Sequence, residues 1–280
     1  MQIRYSANPE DVKRYTTEEI RKEFLIENLY KPDEVVSVYS HVDRMVVLGA
    51  MPVNKNLSID DGIDVWKNFG TKYFLERREI GIFNLGHDGK INVDGEIYEL
   101  GNKDCLYITK GHEKVFFSSN DKNNPAKFYM VSAPAHVAYE NKLIKIADAA
   151  KKPLGDITTS NKRVINQFIH PSVLKTCQLS MGLTILEPGN IWNTMPAHTH
   201  ERRMEVYTYF DIPDENVVFH FMGQPDQTRH IVMKNFDAVI SPSWSIHAGA
   251  GTSAYSFIWA MGGENQEFDD MDTINNLNLK

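Results

Sequence analysis

Residues Gly189 to Glu205 read GNIWNTMPAHTHERRME, and the two imidazoles at His198 and His200 make this the stretch from which the rest of the chain is understood. Side chains two apart on a β-strand leave the same face, so both rings can converge on one point. Glu205 follows five positions after His200. That odd offset would send it to the opposite face of a straight strand, so a bulge or turn is expected through Glu201 to Met204. Further on, Pro242-Ser243-Trp244-Ser245-Ile246-His247 supplies a third imidazole. An isolated H-x-H occurs by chance on many surfaces. Three His with one carboxylate is instead a donor set for a first-row divalent ion, with positions left open for water or substrate.

The order of Gly189, H-x-H, four residues, Glu205 and then P-x-x-x-x-H resembles the two motifs of the cupin superfamily. The chain departs from that pattern in having eight residues between Gly189 and His198, and Trp244 where cupins commonly carry Gly. The fold class expected from this resemblance and from the strand pattern is all-β: duplicated cupin-type jelly-roll barrels, a bicupin, with a few short helices.

Composition sets the outer limits. The chain has 280 residues, 42% hydrophobic and 24% charged, which is ordinary globular material for one large core or two smaller ones. A net charge of −7 repels phosphate backbones and argues against nucleic acid as a partner. Cys105 and Cys177 are far apart in apolar runs, and no basic-then-apolar leader opens the chain, which leads to the expectation of a reducing, cytoplasmic compartment. No window approaches the roughly 20 apolar residues that span a bilayer, so no membrane partner is expected.

In chain order, residues 14–25 predict a short helix, with Thr16 and Glu19 as a capping box and Ile20 and Phe24 on one face, packed on the outside of a barrel. Short apolar or alternating runs then predict strands at 35–39, 45–53, 73–75, 79–84, 90–93, 96–100, 105–108 and 115–118. Gly, Asn and Asp turns separate them, Asp94-Gly95 being a strong hairpin signal. Asn141 to Lys152, rich in Ala and Lys, predicts a helix within a connecting segment. Strands resume at 180–186, 206–210, 217–222, 230–233, 238–240 and 256–260. Leu75-Glu76-Arg77-Arg78-Glu79-Ile80 parallels His200-Glu201-Arg202-Arg203-Met204-Glu205-Val206, which points to an internal duplication. The expected organisation is an N-terminal cupin-like barrel without metal ligands at 1–140, a connection at 141–165 and a metal-binding barrel at 166–280. Tyr73-Phe74-Leu75 takes the place of the H-x-H in the first half, and Glu76, Arg77 and Arg78 read as structural ion-pair residues.

Longer blocks carry a more specific resemblance. They are Y-S-H-V-D-R at 39–44, Y-F-L-E-R-R-E at 73–79, T-C-Q-L-S-M-G-L-T at 176–184, W-N-T-M-P-A-H-T-H-E-R-R-M-E-V-Y at 192–207 and G-Q-P-D-Q-T-R-H-I-V-M at 223–233, with S-P-S-W-S-I-H at 241–247 and G-E-N-Q-E-F-D-D-M-D at 263–272. Together they resemble the 5-dehydro-4-deoxy-D-glucuronate isomerase family, also called 4-deoxy-L-threo-5-hexosulose-uronate ketol-isomerase, over nearly the whole chain. The resemblance implies conversion of 5-dehydro-4-deoxy-D-glucuronate to 3-deoxy-D-glycero-2,5-hexodiulosonate in pectin and uronate degradation. It also implies one Zn²⁺ per chain on His198, His200, Glu205 and His247, a small-molecule uronate substrate and a homohexamer. Moving a carbonyl from carbon 1 to carbon 2 passes through an enediolate, whose two adjacent oxygens a Lewis acid stabilises without a redox step.

The catalytic base and the carboxylate-binding residue stay unassigned at this level. Arg202 and Arg203 compete for the carboxylate, against an exterior salt bridge. Tyr207 and Tyr209 share strand parity with Glu205 and face either the cavity or the core. His220 and His230 read as interior or surface residues, Glu201 as a solvated neighbour and His41 as part of a polar knot between domains. Trp192 and Trp244 either wall the pocket or pack structurally, the methionines fill core, and the acidic run Glu267 to Asp272 reads as a solvated tail. Two other functions use the same residues: an Fe²⁺ cupin dioxygenase, and a non-enzymatic sugar-binding cupin.

Overall fold

The helix signal at Thr16 forms as the capping box requires. In the computed structural model Thr17–Phe24 is helical, the Thr16 hydroxyl accepts the Glu19 amide at 3.3 Å, and the Glu19 carboxylate accepts the Thr16 amide at 2.7 Å. The helix packs on the second unit through one face and leaves the other towards solvent. Ile20 and Phe24 are buried in a cluster with Tyr207, Val239 and Phe257, and the next residues, Leu25–Ile26, pair antiparallel with Ala238–Ser241. The structure describes residues 1–267 and 269–280; Phe268, within the acidic run, lies outside the described residues.

Two compact units emerge, one of residues 1–4, 28–150 and 168–180, the other of 5–27, 151–167 and 181–280. Each is built from a seven-stranded and a four-stranded sheet, in the same order of strands. In the first, Arg78–Asn84 lies between Phe128–Pro134 and Cys105–Ile108; in the second, Arg203–Phe210 lies between Ser256–Gly263 and Ala238–Ser241. The four-stranded sheets follow suit, with Leu57–Ser58, Val115–Ser119, Gly89–Val93 and Glu96–Leu100 in one and Trp192–Asn193, Ala248–Gly251, Val218–Met222 and Arg229–Met233 in the other. These are cupin-type jelly-roll units whose sheets stay open rather than closing into full barrels.

The ladders align the halves residue by residue. Ile80 pairs with Ile108 and Ser132, and Glu205 pairs with Ser241 and Met261, so the two occupy equivalent positions. The first unit thus carries a buried isoleucine where the second carries the carboxylate, and its interior is filled by Ile80, Ile82, Leu106, Phe117, Phe128 and Met130. Apolar side chains from both sheets of that unit meet there, which is what stabilises a two-layer β fold.

Several expectations change. Tyr73 to Leu75 is not a strand; Phe74–Glu76 forms a 3₁₀ turn that delivers Arg78 into the sheet. Arg78 is not an ion-pair residue but is buried, donating to Ser132 Oγ at 3.0 Å and to the Arg44 carbonyl at 2.6 Å, with its guanidinium 5.3 Å from the Phe69 ring centre. The helix expected at Asn141 to Lys152 is replaced by strands Lys142–Ile144 and Ala150–Leu154 with a 3₁₀ turn at Ile146–Asp148. Lysine and alanine favour a helix locally, but sheet pairing overrides the preference and Pro153 cannot continue a helix. Ala150–Leu154 is exposed throughout and carries Lys151, Lys152 and Pro153, residues that blunt an edge strand.

Segment 168–180 joins the first unit through one carboxylate. Glu79, fully buried, accepts the amides of Cys177, Gln178 and Leu179 at 2.8, 2.8 and 2.9 Å and the Tyr107 hydroxyl at 2.8 Å. Four donors on one carboxylate satisfy a charge that burial alone would make very costly.

Candidate metal centre

His198 lies on the short strand His198–Thr199, Glu205 within Arg203–Phe210, and His200 on the turn between them. That turn restores the parity that the five-residue offset breaks. His247 arrives just before Ala248–Gly251 in the opposite sheet. His200, Glu205 and His247 are 2%, 5% and 1% exposed, and His198 is half-buried.

Their donor atoms face one another. His247 Nε2 is 2.8 Å from His198 Nε2 and 3.2 Å from Glu205 Oε2, and His200 Nε2 is 3.7 Å from Glu205 Oε1. Donors about 2.0–2.2 Å from a common ion stand roughly 3.0–3.4 Å apart, so these separations bracket a single coordination shell. His200 Nε2 and Glu205 Oε2 are buried without a hydrogen-bond partner, an arrangement that a cation relieves. Among the described residues, the three imidazoles form the one group of three or more such donors able to hold a metal ion.

Tautomers and charges suit that role. His200 Nδ1 donates to the Arg203 carbonyl at 2.9 Å, leaving the Nε2 lone pair turned inward, and His247 Nδ1 lies 3.4 Å from the Ser245 carbonyl. Burial pushes the Glu205 carboxyl upward, but His247, His200 and His198 outweigh it and hold the group down to about 2. Burial lowers His198 to about 4 against the pull of Glu205, and drives His247 well below the usual imidazole range. His200 moves the other way: burial opposes protonation, yet the nearby Glu205 carboxylate raises it. An ionised carboxylate beside two imidazoles that burial keeps neutral, His198 and His247, is a donor set suited to a cation.

The cluster opens into a cavity of about 270 Å³, walled by Phe257, Trp259 and Met261, with Thr184, Thr194, Tyr207, Arg163 and Arg203 as its polar lining beside His198 and Glu205. Gly182 makes the wall possible, because a Cβ there would overlap the Trp259 ring. Of the two tyrosines, Tyr207 reaches the cavity, its hydroxyl 3.2 Å from Thr194 Oγ1, whereas Tyr209 bonds His220 Nδ1 at 2.8 Å in the interior. Arg202 points away, exposed and paired with Asp270, Nε to Oδ2 2.7 Å. Arg203 lines the cavity but donates to the carbonyls of Glu267 and Asp270. Glu201, His230 and His41 are exposed, His230 beside Phe219 and His41 edge-on to Tyr39.

Neither Trp192 nor Trp244 walls the cavity; Trp192 stacks on Phe221 at 5.7 Å and Trp244 packs on Phe24 at 6.2 Å. The acidic run is not a solvated tail. Asp270 is tied to Arg202, Asp272–Thr273 pairs with His198–Thr199, and Met271 and Thr273 line the cavity. Arg163, Trp259, Thr184 and Thr194 went unnoticed in the sequence. Arg163 opens the strand Arg163–Ile169, whose polar start reads as loop, and no local spacing ties it to the histidines.

His220 is fully buried, and burial pushes it down to about 3 against the raising effect of Glu205. An unfolded histidine titrates near 6.5, so between about pH 6.5 and pH 3 the unfolded chain binds more protons than the folded one. Stability from this residue is complete above about pH 6.5 and is lost as pH falls, by up to about 1.4 kcal/mol per unit. Urea unfolding of the metal-free protein at about pH 7 and pH 5 is expected to show a loss about 2 kcal/mol larger than that of His220→Asn. Equal losses would remove His220 as the acid-sensitive group.

The chain is 57% identical over 274 residues, 98% of both chains, to proteins named 4-deoxy-L-threo-5-hexosulose-uronate ketol-isomerase from Yersinia pseudotuberculosis (serotype O:1b, strain IP 31758) and Yersinia pestis (strain Pestoides F). Among solved structures, an IolB-like protein from Salmonella typhimurium LT2 superposes with a TM-score of 0.68 at 12% identity, covering 83% of this chain and 88% of that one. An oxalate decarboxylase from Lactobacillus farciminis does so with a TM-score of 0.56 at 10% identity, covering 83% and 80%. At those identities the two structures share the fold and nothing further is drawn from them. The model of the KduI/IolB family matches residues 52–276, which takes in most of both jelly-roll units and every residue of the histidine cluster, and the chain belongs to that family.

Proposed function

We propose that this protein is a metal-dependent ketol-isomerase that converts 5-dehydro-4-deoxy-D-glucuronate to 3-deoxy-D-glycero-2,5-hexodiulosonate in uronate breakdown. The observation that carries the reading is the convergence of His198, His200, His247 and Glu205 on one buried point beside a monosaccharide-sized cavity. The near-full-length likeness to ketol-isomerases supports the choice of reaction.

In this reading the four side chains hold one Zn²⁺ per chain. Bound there, the ion supplies Lewis-acid stabilisation for the negative charge that develops on two adjacent substrate oxygens. The protein's own groups do the rest. Burial, reinforced by Glu205, pushes the Tyr207 phenol well above its ordinary range, so it stays protonated and donates a hydrogen bond into the cavity. Phe257, Trp259 and Met261 make an apolar wall that excludes water, and Arg203 holds the segment that carries Met271 and Thr273 in the lining. Among the lining residues the acid–base groups are His198, Glu205 and Tyr207. The first two are ligands in this reading, so the proton that moves between the two carbons passes by way of the Tyr207 hydroxyl or water. The same reading makes the enzyme cytoplasmic and a homohexamer.

Elemental analysis of the purified protein, with turnover of the uronate before and after chelation, tests the proposal. About one zinc per chain is expected, with activity lost on chelation and restored by zinc. Bound iron with oxygen-dependent turnover would replace the isomerase by a dioxygenase. Saturable sugar binding without turnover would replace it by a binding module.

A further inference from the structure

We infer that Arg163 is the anchor for the substrate's carboxylate, holding the acidic end of the sugar while the carbonyl end faces the histidine cluster. This deepens the isomerase reading and rests on it for the identity of the substrate.

Two arginines line the cavity, and their surroundings separate them. Arg203 is committed: its guanidinium donates to the carbonyls of Glu267 and Asp270, and Glu205 lies two residues away on the same strand face. Arg163 donates once, from Nη1 to the Asn161 carbonyl at 2.8 Å, and among the described residues no carboxylate pairs with it. A guanidinium has five N–H donors and stays charged throughout the working range, so most of its fork is available to a planar anion.

Its neighbourhood calls for such an anion. Arg163 is partly buried, and burial lowers its pKa with only the hydroxyls of Tyr207 and Tyr255 to offset it. A half-desolvated cation without a counter-charge is costly, and a ligand carboxylate removes the cost while gaining two parallel charge-assisted bonds. The remaining lining divides in the way a sugar acid requires, with hydroxyls at Thr184, Thr194 and Tyr207 and apolar walls at Ile165, Phe257 and Trp259. Arg202, the other candidate, is exposed and already paired with Asp270.

The test uses zinc-loaded protein and two unreactive ligands, the open-chain sugar acid with its aldehyde reduced and the same compound with the carboxylate reduced to hydroxymethyl. Binding of each is measured by calorimetry for the wild type, Arg163→Met and Arg163→Lys, and thermal melts check that the variants fold. A charge-assisted pair at this site corresponds to roughly 10- to 100-fold in affinity. The wild type is therefore expected to prefer the acid by about that factor, Arg163→Met to bind both ligands alike, and Arg163→Lys to recover part of the preference. On the uronate itself the Met variant should lose a similar factor in kcat/KM, mainly through KM. An undiminished preference for the acid in Arg163→Met would overturn the assignment, as would an equal loss for both ligands, which marks a structural role. A wild type that prefers the acid but does not isomerise the uronate would overturn the function and leave the anchor standing.

Discussion

His200→Ala is expected to lower kcat/KM on the uronate by about 10³-fold or more, since Lewis-acid stabilisation of a developing oxyanion is worth several kcal/mol. The imidazole is 2% exposed and its Nε2 has no partner but the centre itself, so nothing else within the protein takes over its role. The loss should be accompanied by zinc content falling well below one per chain, measured by elemental analysis after dialysis. Thermal melting should stay close to that of metal-free wild type, because the removed ring packs at the edge of a polar cluster rather than inside the apolar core. A variant that kept full activity would sink the account of this centre, whatever its metal content.

Glu79→Ala is expected to lower stability by about 4 kcal/mol, the sum of leaving three buried amides and the Tyr107 hydroxyl without their acceptor after partial rehydration. At roughly 2–4 °C per kcal/mol for a unit of this size, the first melting transition should fall by about 10 °C. Glu79→Gln retains one carbonyl acceptor and should lose about half as much. Hydrogen exchange at Cys177, Gln178 and Leu179 should speed up in both variants, since their amides are the groups released. An Ala variant within about 1 kcal/mol of wild type would mean that the segment 168–180 is held by its apolar contacts, such as Phe168 against Phe83, and not by the carboxylate.

The strength of the sequence reading varied with how local the cause was. Asp94-Gly95, the Thr16–Glu19 pair and the apolar run Cys105–Ile108 act over a few residues, and those elements stand where they are expected. The helix expected over Asn141 to Lys152 failed because its cause was not local. Lys142–Ile144 is drawn into the sheet by Cys105–Ile108, nearly forty positions earlier, and that pairing leaves no mark on the alanines and lysines themselves. Arg202 and Arg203 were indistinguishable in sequence for the same reason. Their difference is made by Asp270 and the Glu267 carbonyl on a segment that folds back from the C-terminal side.

By itself the sequence determined the all-β class and the duplicated pattern of short strands, because alternation along a strand dictates which side chains share a face, and it named His198, His200, Glu205 and His247 as candidate ligands. It also showed Tyr73-Phe74-Leu75 in place of the H-x-H in the first half, while the ladders placed Ile80 where Glu205 stands in the second. Only the tertiary structure decided what surrounds that cluster. It brought Arg163 and Trp259 to the cavity, sent Trp192 and Trp244 elsewhere, tied Asp270 and Asp272 of the acidic run to Arg202 and Thr199 and lent the N-terminal helix to the second unit. The reason is that ladder pairing and sheet-on-sheet packing join residues a hundred or more positions apart, and their energies come from area buried and donors satisfied, neither of which any local stretch encodes.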